Sequence, residues 1–389
     1  MKLVRYILRF ALSFIIALLI AITILWATGN SHLIKAVRST YLVGESGPTI
    51  ADYTKFDNHK VEKKVAQPWF LAKEYNSYKL NHEEDSIIKR WESVAFVIVQ
   101  KDSILFEKYW KNYSRKSLSN SFSMAKSFTA LCIGAAIKEG KIKSINQKVG
   151  DFLPEFQKGE KSKITIKHLL QMSSGIDFGE SYDNPFGFMA KTYYGNDLYK
   201  LTVEKNVKHT PGTVWKYQGG NTLLLSFILE KSTGQTLSEY FSNKFWKKVG
   251  AEREALWTYS SKNDRERAFC CFYSNATDFA RIGQLMLDSG KWNNAPLIDK
   301  DYYEQSISPV KIKSENGELI NYYASHWWLG KYKEVNFYYA RGIQGQYIVS
   351  IPAWDVVFVR LGHLRDPEKD VALPKDLIEY LSIVEKIKF

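Results

Sequence analysis

Cysteine is nearly missing from this chain: 389 residues carry only Cys132, Cys270 and Cys271. So few exclude a disulfide framework as the source of stability. Cys270 and Cys271 are adjacent, where a bridge is strained, and Cys132 falls in an apolar run where a small buried residue is the simplest account. Metal-site spacing is missing too. There is no C-x-x-C, and His82-Glu83 lacks the second histidine of H-E-x-x-H, so no metal or cofactor is expected. G-x-S-x-G is absent, which counts against an α/β-hydrolase. No internal repeat or low-complexity tract occurs. The formal charge is +13, but the lysines are scattered, with no zinc-finger spacing or RNA-binding signature. Nucleic acid is therefore not an expected partner. A solvated basic surface, of the kind found near anionic lipid, is the simpler account.

What the chain does have is apolar material, 45% hydrophobic and 15% aromatic, ample for a large core. Lys2, Arg5 and Arg9 precede an uncharged stretch at 10–28, which as a helix spans about 29 Å, close to a bilayer's hydrocarbon thickness. Positive charge on the short leading side predicts a cytoplasmic N-terminus and an exported body, periplasmic or extracellular. A cleaved signal peptide, giving a secreted protein, is the alternative, although the cleavage pattern at Trp26-Ala27-Thr28 is poor. The expected organisation is an anchor at 1–29, a polar tether and lead-in at 30–85 broken by Gly44, Gly47, Pro48 and Pro68, and a main domain at 86–389. Within it, a hairpin pattern at 94–99 and 104–110 turns through Lys101-Asp102-Ser103. Helical patterns and long loops fill about 140–330, clearest at 223–230 and 277–287. Strand patterns return at 336–340, 346–351 and 356–361, and a closing helix at 375–387 places Leu377, Ile378, Leu381, Val384 and Ile387 on one face. Strands at both ends with helices between predict an α+β fold: one antiparallel sheet, a helical insertion, and a site in the cleft between them.

The chemistry-bearing feature is Ser123-Met124-Ala125-Lys126. S-x-x-K also occurs at Ser86 and Ser308, but only after Ser123 do apolar residues (Ala125, Phe128, Leu131, Cys132, Ala135, Ala136) continue at helical spacing to a stop at Gly140. On such a helix the hydroxyl and the amine share one face. An amine held among apolar neighbours is disposed to give up its proton, which makes it a ready base for a serine nucleophile. The expected activity is acyl transfer, and the alternative is a helix-capping serine beside a solvated lysine.

Ser123-Met124-Ala125-Lys126-Ser127-Phe128-Thr129 resembles the serine β-lactamase and penicillin-binding superfamily. The pattern is most like its class C-like branch, with 6-aminohexanoate-dimer hydrolases and esterases. The resemblance runs from about residue 94 to the C-terminus. It is supported by Ile164-Thr165-Ile166-Lys167-His168-Leu169-Leu170 leading to Ser173-Ser174-Gly175, by Pro211-Gly212-Thr213 before Tyr217, and by Ala280-Arg281-Ile282-Gly283-Gln284. It implies a β-lactamase/transpeptidase-like fold and a second catalytic group, a tyrosine that shuttles protons. Tyr182, Tyr194 and Tyr273 all fit Y-x-N, yet Tyr217 alone stands between the Pro-Gly-Thr turn and an apolar helix, so it takes that role. Asn221 then replaces the usual asparagine or caps the following helix. The family's third element, K-T-G or H-x-G, corresponds to Gly342-Ile343-Gln344-Gly345-Gln346. Ile343 stands where a cation would be, which argues against an efficient β-lactamase. The resemblance further implies an oxyanion hole from the N–H groups of Ser123 and Gln346, with Ile343 and Gly345 lining the substrate. Trp327 and Trp328 either wall an acyl pocket or belong to the core. His168 is expected to be structural, and Asp177 and Glu180 are candidates for the cleft. The expected function is a membrane-tethered serine hydrolase of a small ester or amide. A non-catalytic envelope sensor and a D-amino-acid peptidase of the cell wall are the alternatives. Substrate identity and oligomeric state are left open.

Overall fold

The strand-forming stretches at the two ends of the chain meet in one sheet. A computed structural model describes residues 2–260, 265–367 and 373–388. Helix α1 (Lys2–Ala27) carries no buried residue, and α2 (His32–Ser39) follows it. The sheet contains β1 (Phe70–Leu71), β2 (Ser93–Gln100), β3 (Ser103–Tyr109), β4 (Trp328–Tyr332), β5 (Val335–Gly342), β6 (Gln346–Ile351) and β7 (Val356–Gly362), in the order β4-β5-β6-β7-β2-β3-β1. Neighbours are antiparallel except β1, which runs parallel to β3. Lys101 and Asp102 both take left-handed backbone angles at the β2–β3 turn, matching the strands' twist.

Both faces of this sheet are covered. Val97, Val99, Val357 and Val359 pack toward α4 (Met124–Lys138) and α7 (Ala276–Leu287). Phe96, Ile98 and Phe358 pack toward α3 (His82–Arg90) and α8 (Lys375–Ile387). Burial on both sides explains why the central strands read as continuous apolar runs rather than alternating ones. Close approach of α7 requires Gly283, since a Cβ there would collide with the Val357 side chain. Between β3 and β4 lie the inserted helices, among them α5 (Phe188–Tyr194) and α6 (Gly219–Thr233), the latter packed on α4.

Two features differ from expectation. The lead-in is not a loose tether, because Ile50, Phe56 and Val61 are buried in the main core. Asn58–Val61 pairs with Ala255–Ser260, β1 extends the main sheet, and Trp69 donates its indole N–H to the Thr277 carbonyl at 2.9 Å. The region expected to be helices and loops also holds strands. Ala255–Ser260 and Phe272–Ser274 build a second sheet that Ser119–Asn120 joins.

Candidate active site

The turn into α4 is fixed before the helix begins. Phe122 takes φ +43°, and its N–H donates to Asn120 Oδ1 at 2.8 Å; the same oxygen accepts from Cys271 N–H at 3.1 Å. A bulky residue at positive φ is costly and persists where its surroundings hold it. The next residue is Ser123. It occupies the capping position of α4, but its side chain makes no capping bond, so the helix-capping alternative fails. The hydroxyl instead meets Lys126, whose Nζ lies 2.9 Å from Ser123 Oγ and donates to the Phe269 carbonyl at 3.1 Å. Lys126 is 2% exposed. Its amine stands 4.9 Å from the centre of the Tyr217 ring.

Tyr217 is mounted from behind and from below. Its ring packs on Trp328 at 5.3 Å and edge-on against Tyr323 at 5.9 Å, while the Arg341 guanidinium sits 4.4 Å from the Trp328 ring. The chain reaches it through the Gly212 turn (φ +86°), whose N–H donates to the Ser173 carbonyl at 2.7 Å. Immediately after it, the first amides of α6, Gly219 and Gly220, donate to the two Glu180 oxygens at 2.8 and 2.7 Å. Burial raises the Glu180 carboxyl above its ordinary value, against the pull of those two N–H groups and of Lys126. The cap of α6 is therefore Glu180. Asn221 does not cap: it is buried within the first turn, with its amide N–H₂ directed at Met172 Sδ, 3.5 Å away.

His326 joins the pieces. One ring nitrogen is 2.9 Å from Thr222 Oγ1 on α6 and the other 2.8 Å from the Leu170 carbonyl, while the His326 carbonyl accepts from Ser127 Oγ on α4 at 2.6 Å. Burial depresses this imidazole to about 3, so it is a neutral strut. His168, by contrast, closes the capping box of the helix Ile166–Leu170 with Thr165, a structural role as expected.

Ser123 opens into a cavity of about 610 Å3, walled by Phe122, Phe269, Cys270, Ile343 and side chains of α2 and α5. That size suits a small-molecule site, where roughly 300–1,000 Å3 is usual. Larger clefts lie elsewhere and do not include this hydroxyl. Ile343 lines the cavity, as the sequence suggested, but the other third-element residues do not. Gln346 begins β6 opposite Gly342, and its side chain is buried, donating to the Ile343 and Gly362 carbonyls at 3.2 and 2.7 Å. The chain turns back through Gln344 (φ +61°) and Gly345 (φ +79°), which brings Gly342, not Gln346, against the Ser121 carbonyl and Phe122. Gly345 packs on the Arg360 guanidinium behind the turn. Trp327 is core, and Trp328 supports Tyr217 rather than walling the cavity. Asp177 is exposed and only steadies its own turn through Gly179 N–H at 3.1 Å. The alternative tyrosines are also located: Tyr182 and Tyr194 line the cavity, whereas Tyr273 is buried and accepts from Asn120 Nδ2 at 3.2 Å. Cys270 and Cys271 are bonded to each other, although adjacency was expected to disfavour such a bridge.

The capping role of Glu180, the strut His326 and the Phe269 carbonyl were not found by sequence reasoning. Nothing local marks them, since each acts on a residue far away in the chain. Comparison with known proteins is consistent with this geometry. The family model described as Beta-lactamase matches residues 82–381. The 6-aminohexanoate-dimer hydrolase of Paenarthrobacter ureafaciens is 25% identical over 295 residues, covering 70% of this chain and 73% of its own length. A Bacillus anthracis structure provisionally named as a 6-aminohexanoate-dimer hydrolase superposes with a TM-score of 0.69 at 20% identity, over 85% of this chain and 89% of its own. A family VIII carboxylesterase superposes with a TM-score of 0.63 at 15% identity, over 82% and 99% of the two chains.

Proposed function

Since the chain belongs to the Beta-lactamase family and is a serine hydrolase of it, we propose that it cleaves an ester or amide bond through an acyl-enzyme on Ser123, with Lys126 and Tyr217 moving the protons, while α1 holds the domain to a membrane. The observation that carries this reading is the 2.9 Å contact between Lys126 Nζ and Ser123 Oγ at the wall of an open cavity, with the Tyr217 ring beneath the amine. Lys126 takes the hydroxyl proton as Ser123 Oγ attacks the carbonyl carbon. Tyr217 returns a proton to the departing alcohol or amine, and water then releases the acyl group. Backbone N–H groups of Ser123 and Ile343 are the oxyanion donors; Ile343 replaces Gln346 here because it lines the cavity beside Ser123. Each such donor is worth about 3 kcal/mol of transition-state stabilisation.

The relative named for 6-aminohexanoate-dimer hydrolysis and the carboxylesterase neighbour favour ester and amide substrates over β-lactams. So does the apolar Ile343 in place of a cation. The length and composition of α1 support the tether, and Lys2, Arg5 and Arg9 support an exported domain. A fluorophosphonate probe should label the protein at Ser123 and fail to label Ser123→Ala. Equal labelling of the two proteins would overturn the assignment.

A further inference from the structure

The wall of the Ser123 cavity opposite α4 is made by the chain that has just left α1. Leu33 and Ala36 of α2, then Tyr41 and Pro48, face Met189 and Tyr182 across it. This wall is fastened, not draped. His32 Nε2 lies 2.8 Å from the Pro185 carbonyl, and Gln344, in the turn beside Ile343, donates its amide to the Pro48 carbonyl at 2.8 Å. At the rim, Tyr41 and Tyr182 line the cavity and are 70 and 58% exposed; near them in the chain, Leu42 and Phe186 are 72 and 54% exposed, and Val43, 55% exposed, lines the adjoining cleft. Exposed apolar side chains gathered in one place mark an interaction surface.

The position of that rim identifies what covers it. Helix α2 starts five residues after α1 ends at Ala27, so the rim lies near the point where α1 would leave a bilayer. Trp26 at the end of α1 is exposed, and with Tyr41 and Tyr182 it supplies the amphipathic rings favoured at a membrane–water boundary. Between α1 and the body, Lys35, Arg38 and Lys191 line a second cleft together with Ile22 and Trp26. Cations beside an apolar helix end suit an anionic headgroup layer.

We propose that the Ser123 cavity opens onto the bilayer surface and takes its substrate from there, an amphiphile whose long-chain acyl group is joined by an ester or amide bond. This rests on the serine-hydrolase reading above and names its substrate class. The acyl chain enters between Tyr41 and Tyr182, which line the cavity mouth, and its carbonyl reaches Ser123. The bond from Oγ to the acyl carbon forms, the Oγ proton goes to Lys126, and the bond to the alcohol or amine breaks as that group gains a proton. Water then cleaves the acyl-serine to a fatty acid and regenerated Ser123. No oxidant or further reactant is needed.

The test uses the full chain in vesicles of phosphatidylcholine and phosphatidylglycerol. Hydrolysis of nitrophenyl palmitate held in the bilayer is compared with that of water-soluble nitrophenyl butyrate, alongside fluorophosphonate labelling. The palmitate ester should be cleaved with the higher kcat/KM. A Leu42→Glu/Val43→Glu variant, altered outside the cavity wall, should lose about tenfold on the bilayer substrate and keep its butyrate rate. If Ser123 is labelled and butyrate cleaved, but palmitate gains nothing or the variant is indifferent to presentation, the membrane-substrate inference falls and the hydrolase reading stands. If the probe does not label Ser123, both fall.

Discussion

Replacing Lys126 by methionine separates its chemistry from its packing. The amine has two acceptors, Ser123 Oγ at 2.9 Å and the Phe269 carbonyl at 3.1 Å, and α4 is buried on every side along most of its length. Methionine is unbranched and of similar volume, so the helix keeps its fit against α6 and the sheet. A positioned base accelerates proton removal by about 10²–10⁴, or roughly 2.7–5.5 kcal/mol of barrier. The amine touches the nucleophile, so all of that should be lost, and fluorophosphonate labelling of Ser123 should slow by about the same factor. Stability should move little. Leaving the Phe269 carbonyl without its donor costs about 1–3 kcal/mol, and ending the burial of a polar amine returns a similar amount, roughly 1–3 kcal/mol. The net effect is within about 2 kcal/mol, a few degrees in Tm. Time-resolved labelling and a thermal melt of the same preparation read both quantities. Labelling within about threefold of the wild type would refute the base role, since even the lower end of base catalysis exceeds that. A large loss of Tm accompanying lost labelling would show a structural lysine instead.

Tyr217→Phe keeps the ring beneath Lys126 and against Trp328 while removing only the phenol, so kcat should fall by about a hundredfold with Tm unchanged; an unaltered kcat would reduce Tyr217 to packing. His326 should govern acid stability. Its folded value of about 3 lies below the 6.5 of a free imidazole, so its contribution is complete above pH 6.5 and is lost as pH falls toward 3. The loss is on the order of 4 kcal/mol over that window. Urea unfolding of the wild type should therefore weaken with falling pH more steeply than that of His326→Gln, and parallel curves would exclude the imidazole as the cause.

What the sequence disclosed and what it hid divide along one physical line. The β2–β3 hairpin, the closing helix and the helix after Ser123 were legible because their patterns are local: apolar runs bounded by a polar turn, or apolar residues recurring at helical spacing. The lead-in was misread because its few apolar residues, Ile50, Phe56 and Val61, sit among polar ones, and the strand at Asn58–Val61 finds its partner at Ala255–Ser260, far along the chain. The course of the third element was hidden for a related reason. In Gly-Ile-Gln-Gly-Gln the spacing is visible, but the left-handed turn at Gln344 and Gly345 is not, nor is the approach of Gly342 to the Ser121 carbonyl and Phe122.

Tyr217 makes the same point about chemistry. Three tyrosines in this chain match the tripeptide pattern better, yet Tyr217 is the one whose ring lies under the Lys126 amine. Its place there depends on Trp328 behind it, on Glu180 holding the amides of Gly219 and Gly220, and on His326 bracing Thr222 against Leu170. None of these supports is near Tyr217 in a way that a short motif records. The position of this side chain is set by groups that come from four separate stretches of the fold. The nearness of Tyr217 to Lys126 can therefore be anticipated from short motifs plus context, whereas the mounting of that pair can be read only from the folded chain.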